Sequence, residues 1–240
     1  MDGPLREVTY LFGWFHVIVN GMTALMNWLY GFTLSIGIPS YALAIILLTI
    51  LIKVVLYPLS KKQMRSMVMM QKLGPEIKTI QDKYKGKDPQ VMQQKIMELY
   101  KENNVNPMAG CLPLLIQMPI LIALYRALFA FPYLNEAHAH FFWVKSLSDK
   151  DPYFILPLLA AATTFMQTKL TTNAQDQTQK TMLYVMPIMI GWISSTVPSG
   201  LALYWVVFNV VGTIQQWFIN KETLHLKEGV TGVEGSRKGR

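Results

Sequence analysis

Five apolar runs without a single carboxylate set the terms for this chain: residues 38–57, 108–130, 153–168, 182–197 and 201–219. At about 1.5 Å per residue, a helix over each crosses most or all of a ~30 Å hydrocarbon layer. Loops or open strands there would leave backbone N–H and C=O groups unpaired in lipid, so helices are the expected form. The expected fold class is an all-α polytopic membrane protein with five transmembrane helices. Composition agrees, with 15% charged residues, where soluble domains carry about 25%. The third and fourth runs hold only 16 residues each, or roughly 24 Å of helix. Local thinning of the bilayer can match spans of that length.

The predicted organisation follows from these runs. Residues 1–34 form an amphipathic helix lying in the membrane interface. Apolar Val8, Leu11, Phe12, Phe15, Val19, Met22, Leu25 and Leu29 share one side, and His16, Asn20, Thr23 and Asn27 the other. An extra span over 8–29 is the competing reading. The spans occupy 35–58, 107–131, 153–168, 182–197 and 198–219. Residues 59–106 form a helical hairpin outside the membrane, turning at Gly86-Lys87-Asp88-Pro89, with Asp88 as cap and Pro89 in the first helical turn. Residues 132–152 and 169–181 are loops. Residues 220–240 form a basic tail, irregular from Gly229 on.

Orientation follows from the lysines and arginines. With the hairpin in the cytoplasm, the inner side holds seventeen of them and the outer side only Arg6, Lys145 and Lys150. The amino end is then outside and the carboxyl end inside. The formal net charge of +8 reports this topology and contact with anionic lipid rather than nucleic acid. No cleavable signal peptide is expected, since Asp2, Arg6 and Glu7 do not make a basic leader.

Several functions are excluded by what the runs lack. Cys111 is the one cysteine, so neither an internal disulfide nor a zinc cluster is expected. A proton-coupled pump or an aspartyl protease needs a carboxylate at depth, and all fourteen lie outside the spans. No nucleophile motif, zinc motif or phosphate-binding loop occurs. No catalysis and no cofactor are expected.

What the runs contain is uncharged polar groups and Lys53. Gln117 lies in the second span, Thr163, Thr164 and Gln167 in the third, and Asn209, Thr213, Gln215 and Gln216 in the fifth. Helix–helix hydrogen bonding accounts for any one of them. Their concentration in the inner halves of the third and fifth spans, at the depth of Lys53, suggests a wet recess open to the cytoplasm. Lys53 lies five residues before Pro58, close enough to the helix end to snorkel instead. Arg126 reads as an interface residue. Met64, Met67, Met70, Met92 and Met97 crowd the hairpin, where thioethers suit either packing or the capture of varied apolar segments.

Four phrases then carry a family resemblance: LYPLSKKQMRSM, VNPMAGCLPLLIQMPILIALYRAL, DPYFILPLL and VPSGLALYWVVFNVVGTIQQ. In order and spacing, residues 41–220 resemble the YidC/Oxa1/Alb3 family of membrane protein insertases. The resemblance implies a five-span core whose groove opens to cytoplasm and lipid and is closed outside. It implies insertion of small membrane proteins without nucleotide hydrolysis, in company with the SecYEG translocon and ribosomes. It also implies the short form, without a large extracytoplasmic domain. Lys53 occupies a position where the family usually has arginine, and Gln167 and Trp217 match groove positions. Lysine keeps the charge but loses the planar fork.

The expected function is therefore insertion of nascent membrane proteins through a groove built on Lys53, Gln117, Thr164, Gln167, Asn209, Gln215 and Trp217. The hairpin methionines capture substrate, and Lys227, Arg237, Lys238 and Arg240 meet the ribosome. Two rivals remain: a channel or transporter, which needs a polar path through the nearly all-apolar residues 38–48, and a scaffold that packs helices without inserting them.

Overall fold

A computed structural model of the chain describes residues 3–85, 88–105, 112–129, 135–171 and 177–237. For 3–15, 112–116, 177–180 and 222–237, and for 71, 129 and 171, it describes the backbone alone. The predicted turn at Gly86-Lys87, Cys111 with the start of the second span, and Lys238 and Arg240 lie outside the described residues.

The described residues are almost entirely helical: α1 (Gly3–Ser35), α2 (Tyr41–Val55), α3 (Tyr57–Lys72), α4 (Gly74–Tyr84), α5 (Pro89–Glu102), α6 (Leu112–Phe129), α7 (Ile155–Thr171), α8 (Gln177–Thr196) and α9 (Ser199–Arg237), with one 3₁₀ turn at Glu136–His138. An isolated bridge pairs Phe141 with Val144. Among the described residues, Ser199–Lys221 is by itself long and apolar enough to cross a membrane. Tyr41–Val55 and Tyr57–Met70 qualify when taken together across the break at Leu56, and Gln117–Leu128 and Thr181–Thr196 are shorter apolar helices. The chain divides into two compact units, 1–55, 114–164 and 187–209 in the first and 56–113, 165–186 and 210–240 in the second.

In the first unit, α1 turns into α2 through Gly37, whose φ of 77° is the left-handed conformation that glycine adopts without strain. The N–H of Ile38 bonds the Thr33 carbonyl and that of Gly37 the Leu34 carbonyl, so the last carbonyls of α1 are satisfied. The turn lays Met26, Leu29 and Tyr30 against Tyr41, Ala42 and Ile45. The Tyr30 and Tyr41 rings stack at 3.9 Å. Residues 22–33 of α1 are therefore not merely an isolated interfacial stripe: they pack on protein. Small residues set the closest approach elsewhere. A Cβ at Gly191 of α8 would meet the Ala161 Cβ of α7 at 3.0 Å, the kind of contact that holds helices together where no hydrophobic force acts between them.

The segment 135–154 is the element of this unit that its composition describes least well. It reads as a loop, yet Val144 and Leu147 are fully buried in the core. Its backbone caps α9: the Asp149 carbonyl accepts from the Ser199 N–H at 2.7 Å and from the Ser199 hydroxyl at 2.6 Å, and the Leu147 carbonyl accepts from the Gly200 N–H at 2.9 Å. Asp151, 5% exposed, accepts from Trp143 Nε1 and from the N–H groups of Tyr153 and Leu156. It thus satisfies the start of α7 with the charge that a helix N-terminus favours.

In the second unit, the hairpin has three helices where the hydrophobic pattern predicts two. The first arm breaks between Lys72 and Gly74, because Pro75 has no N–H and cannot continue the ladder. Asp88 caps α5, its side chain accepting from the N–H groups of Gln90 and Val91. Asn104, at φ 54°, ends it in the left-handed conformation that asparagine tolerates. Leu73, Ile77, Ile96, Tyr100 and Val105 form the hairpin core, each apolar side chain contributing roughly 1.5–3 kcal/mol by burial from water. α9 corrects a second expectation. It runs on to Arg237 past Gly229, where composition predicts an irregular tail. No proline interrupts 199–237, and extending an established helix costs little per residue.

Replacing Asp151 by alanine would strand the Trp143 donor and two backbone donors. The expected loss is roughly 3 kcal/mol, measured as denaturant unfolding in detergent. Asp151→Asn, which keeps one acceptor oxygen, should lose less.

Candidate functional site

The polar groups of the first unit converge on one stretch of α9. Tyr204 and Phe208 are one helical turn apart, and their rings lie 5.6 Å from each other. Gln117 Nε2 on α6 donates to the Tyr204 hydroxyl at 2.6 Å. Tyr204 is 1% exposed, so its phenol needs such a partner. Asn209, also buried, donates through Nδ2 to Thr164 Oγ1 at 2.7 Å and to Thr163 Oγ1 at 3.2 Å. Both threonine hydroxyls in turn donate to carbonyls of their own helix, Thr164 to Ala160 and Thr163 to Leu159. Each hydroxyl both gives and receives, so the asparagine's amide is engaged at depth.

Lys53 reaches the same stretch from the last turn of α2. Its Nζ lies 3.3 Å from the centroid of the Phe208 ring. The negative ring face attracts the ammonium by up to ~2 kcal/mol when both are out of water. The side chain is only 5% exposed. At this point an aromatic face stands against the charge, where the sequence suggests open water.

Of the seven groove candidates, Lys53, Gln117, Thr164 and Asn209 thus belong to the first unit and address α9 between Tyr204 and Asn209. Gln167, Gln215 and Trp217 belong to the second unit. Gln167 and Gln215 are half-buried. Trp217 is 56% exposed, with the Lys221 ammonium 5.6 Å from its ring centroid. Sequence reasoning passed over Tyr204 and Phe208, which read as ordinary apolar positions; their spacing of four from each other was the available signal. Gln216, next to the chosen Gln215, is the more buried of the two. Its Nε2 donates to Asn220 Oδ1, and its Oε1 has no hydrogen-bond partner among the described residues.

The hairpin methionines divide. Met64 is buried, Met67 half-buried, and Met70 and Met92 pack against the hairpin core. Met97, with Met69, is exposed. Met97 lines an open depression of about 500 Å³ on α5 with Gln90, Gln93, Gln94, Glu98 and Lys101. Nearby, Glu98 lies 2.6 Å from the Lys95 ammonium and raises its pKa. Lys227 and Arg237 are on α9, where only the backbone is described. Among the described residues, no three His, Cys, Asp or Glu side chains group to hold a metal.

A family model described as 60Kd inner membrane protein matches residues 32–227. Membrane protein insertase YidC of Hahella chejuensis is 40% identical over 91% of this chain and 37% of its own length. The chain belongs to the YidC family. The YidC insertase of Leptospira interrogans is 44% identical over 87% of this chain and 34% of its own length. That of Francisella philomiragia is 46% identical over 76% of this chain and 33% of its own. The chain thus spans about a third of the length of these YidC relatives. A crystal structure described as an active YidC insertase with its first transmembrane domain resolved superposes with a TM-score of 0.65 at 29% identity, covering 84% of this chain and 46% of that one. The helical architecture of the described residues is therefore that of the YidC fold.

Replacing Phe208 by leucine keeps the apolar volume but removes the ring face. The Lys53 amine should then react roughly tenfold faster with a membrane-permeant acylating reagent, read by peptide mapping. Unchanged labelling would show that the ring does not hold the ammonium.

Proposed function

We propose that the chain inserts segments of small membrane proteins into the bacterial cytoplasmic membrane without nucleotide hydrolysis. The observation that carries this reading is the buried Lys53 ammonium against Phe208, in a set of apolar spans that holds no carboxylate of its own. An acidic stretch brought by a substrate would supply, at that point, a negative charge that the apolar runs themselves do not carry. The chain crosses the membrane five times in this reading, with its amino end outside and its hairpin and carboxyl end inside.

The steps follow from the groups present. The exposed Met97 side of the hairpin meets the substrate's apolar segment first. The short acidic stretch ahead of that segment enters from the cytoplasmic side and draws Lys53 from the ring. A charge pair about 4 Å apart at an effective dielectric near 20 is worth about 4 kcal/mol, about 2 kcal/mol more than the ring supplies, so the exchange favours the substrate and is still reversible. Gln117, Thr164, Gln167, Asn209 and Gln215 offer hydrogen bonds to the polar stretch in place of water. Trp217 contributes an exposed apolar face along which the substrate's hydrophobic segment moves into lipid, and burial of that segment drives the process. The 17-residue α7 favours a locally thinned bilayer, which shortens the polar path. The basic residues Lys227, Arg237, Lys238 and Arg240 would meet ribosomal RNA phosphates, and SecYEG is the natural neighbour for longer substrates.

The test is insertion in proteoliposomes of one small substrate, with and without its acidic residues, by Lys53→Arg, Lys53→Ala and Lys53→Glu variants. Arginine should retain insertion. Alanine should slow the acidic substrate roughly thirtyfold and leave the neutralised one nearly unchanged, and glutamate should slow the acidic one further. Equal insertion by all variants would remove the cation from the mechanism, and ion flux without insertion would replace the function by a channel.

A further inference from the structure

Two aromatic residues of the first unit hold their backbone in the left-handed region, Phe142 at φ 47° and Phe154 at φ 58°. Bulky side chains rarely do so, and Phe142 is also 83% exposed. Such strain persists only where the surroundings impose it. Phe142 and Trp143 form the tip of a turn closed by two hydrogen bonds. The Phe141 N–H donates to the Val144 carbonyl at 2.9 Å, and the Val144 N–H to the Phe141 carbonyl at 2.8 Å. Val144 is buried in the core, and Phe141 and Trp143 pack against it. A positive φ at the first central position of such a turn normally selects glycine. With phenylalanine there, the chain carries both a strained backbone and an apolar ring that its own fold leaves largely uncovered.

Asp151 joins this turn to the second strained residue. Its Oδ1 accepts from Trp143 Nε1 at 2.9 Å and from the Tyr153 N–H at 3.0 Å, so the neighbours of Phe142 and Phe154 share one anchor. Tyr153 and Phe154 are exposed, and the Leu158 N–H bonds the Phe154 carbonyl at 3.1 Å. From Phe154 an exposed apolar face continues along α7 through Leu158, 71% exposed, and Leu159. In a chain of a membrane-protein family, a helix face of that kind lies against hydrocarbon. The aromatic turn lies beyond the start of that helix, since Asp151 caps α7 and the Asp149 carbonyl caps α9. Its level is therefore that between hydrocarbon and headgroups. Trp143 and Tyr153, beside the two phenylalanines, are the residue types enriched there. The exposed charges of the segment offset each other, Lys145 and Lys150 against Glu136 and Asp149, which leaves no net charge for a charged partner to read.

We propose that the Phe142 turn and Phe154 form a lipid-binding surface. Both rings insert below the headgroups of the leaflet at the start of α7, and their burial there offsets the backbone strain. In the orientation proposed above this is the outer leaflet, but the surface depends on neither that orientation nor the insertion of substrates.

The test reconstitutes the full chain in vesicles of phosphatidylethanolamine and phosphatidylglycerol and maps the residues labelled by three photoreactive probes. One is a trace phospholipid with a diazirine beside its glycerol, one carries the diazirine at its acyl end, and one is a water-soluble diazirine. The shallow lipid probe should label 141–143 and 153–154, the deep one Leu158 and Leu159, and the aqueous one Ser148, which is exposed in the same segment. Phe142→Gly suits the backbone of the turn and removes the ring. On Trp143 the ratio of shallow-lipid to aqueous labelling should then fall roughly tenfold, with deep labelling of Leu158 unchanged. Should the variant fail to fold, the three-probe pattern of the unmodified chain still decides. Aqueous labelling of Phe142 as strong as that of Ser148, protection of the turn from all three probes by a covering protein, or an unchanged ratio in Phe142→Gly would each overturn the proposal.

Discussion

The first unit depends on how α9 begins. Its opening N–H groups are unpaired within the helix, and at that depth water is a poor source of partners. The carbonyls of Leu147 and Asp149 supply them, with the Ser199 hydroxyl bonded to the same Asp149 oxygen. This backbone clamp fixes the rotation and axial position of α9, which places Tyr204, Phe208 and Asn209 opposite Gln117, Lys53 and Thr164. The distances of 2.6–3.3 Å at those meetings are not tolerant of a shift by one residue. The segment that reads as a loop is thus what positions the polar interior.

The energetics of that interior are modest individually. An interhelical hydrogen bond in a membrane protein is worth about 0.6–1.7 kcal/mol, and an ammonium on a ring up to ~2 kcal/mol. These magnitudes suit a site that must yield. A lysine locked by a buried carboxylate would cost several kcal/mol to separate. One resting on an aromatic face can be exchanged for a substrate's charge at little net cost. The absence of carboxylates from the spans, visible in the sequence alone, is then a requirement of the proposed mechanism.

Legibility followed locality. Asp88 at the start of α5 could be read because a cap involves neighbours two and three residues on, and its side chain bonds Gln90 and Val91. The break at Pro75 was equally local: at about 100° per residue Met64 and Met67 face away from Leu73 and Ile77, a change of phase that one straight helix does not give. Phe208 could not be singled out, because an aromatic residue in an apolar run reads as core until the partner 155 positions earlier is known. Ser194 was equally silent: a serine near a helix end normally bonds its own backbone, and only the structure shows that this one does not.

By itself the sequence determined that the chain is helical, that its long apolar runs carry a few uncharged polar groups and no carboxylate, and that its family is that of the insertases, since run length, charge placement and long matching phrases are properties of the linear chain. The tertiary structure decided which of those groups meet. It set Lys53 on Phe208, drew Asn209 to Thr164, buried Val144 and Leu147 from an apparent loop, and left Ser194 without an acceptor. Helical periodicity fixes only the face a residue occupies. The partner across that face depends on the register of another helix, and a backbone clamp remote in sequence sets that register.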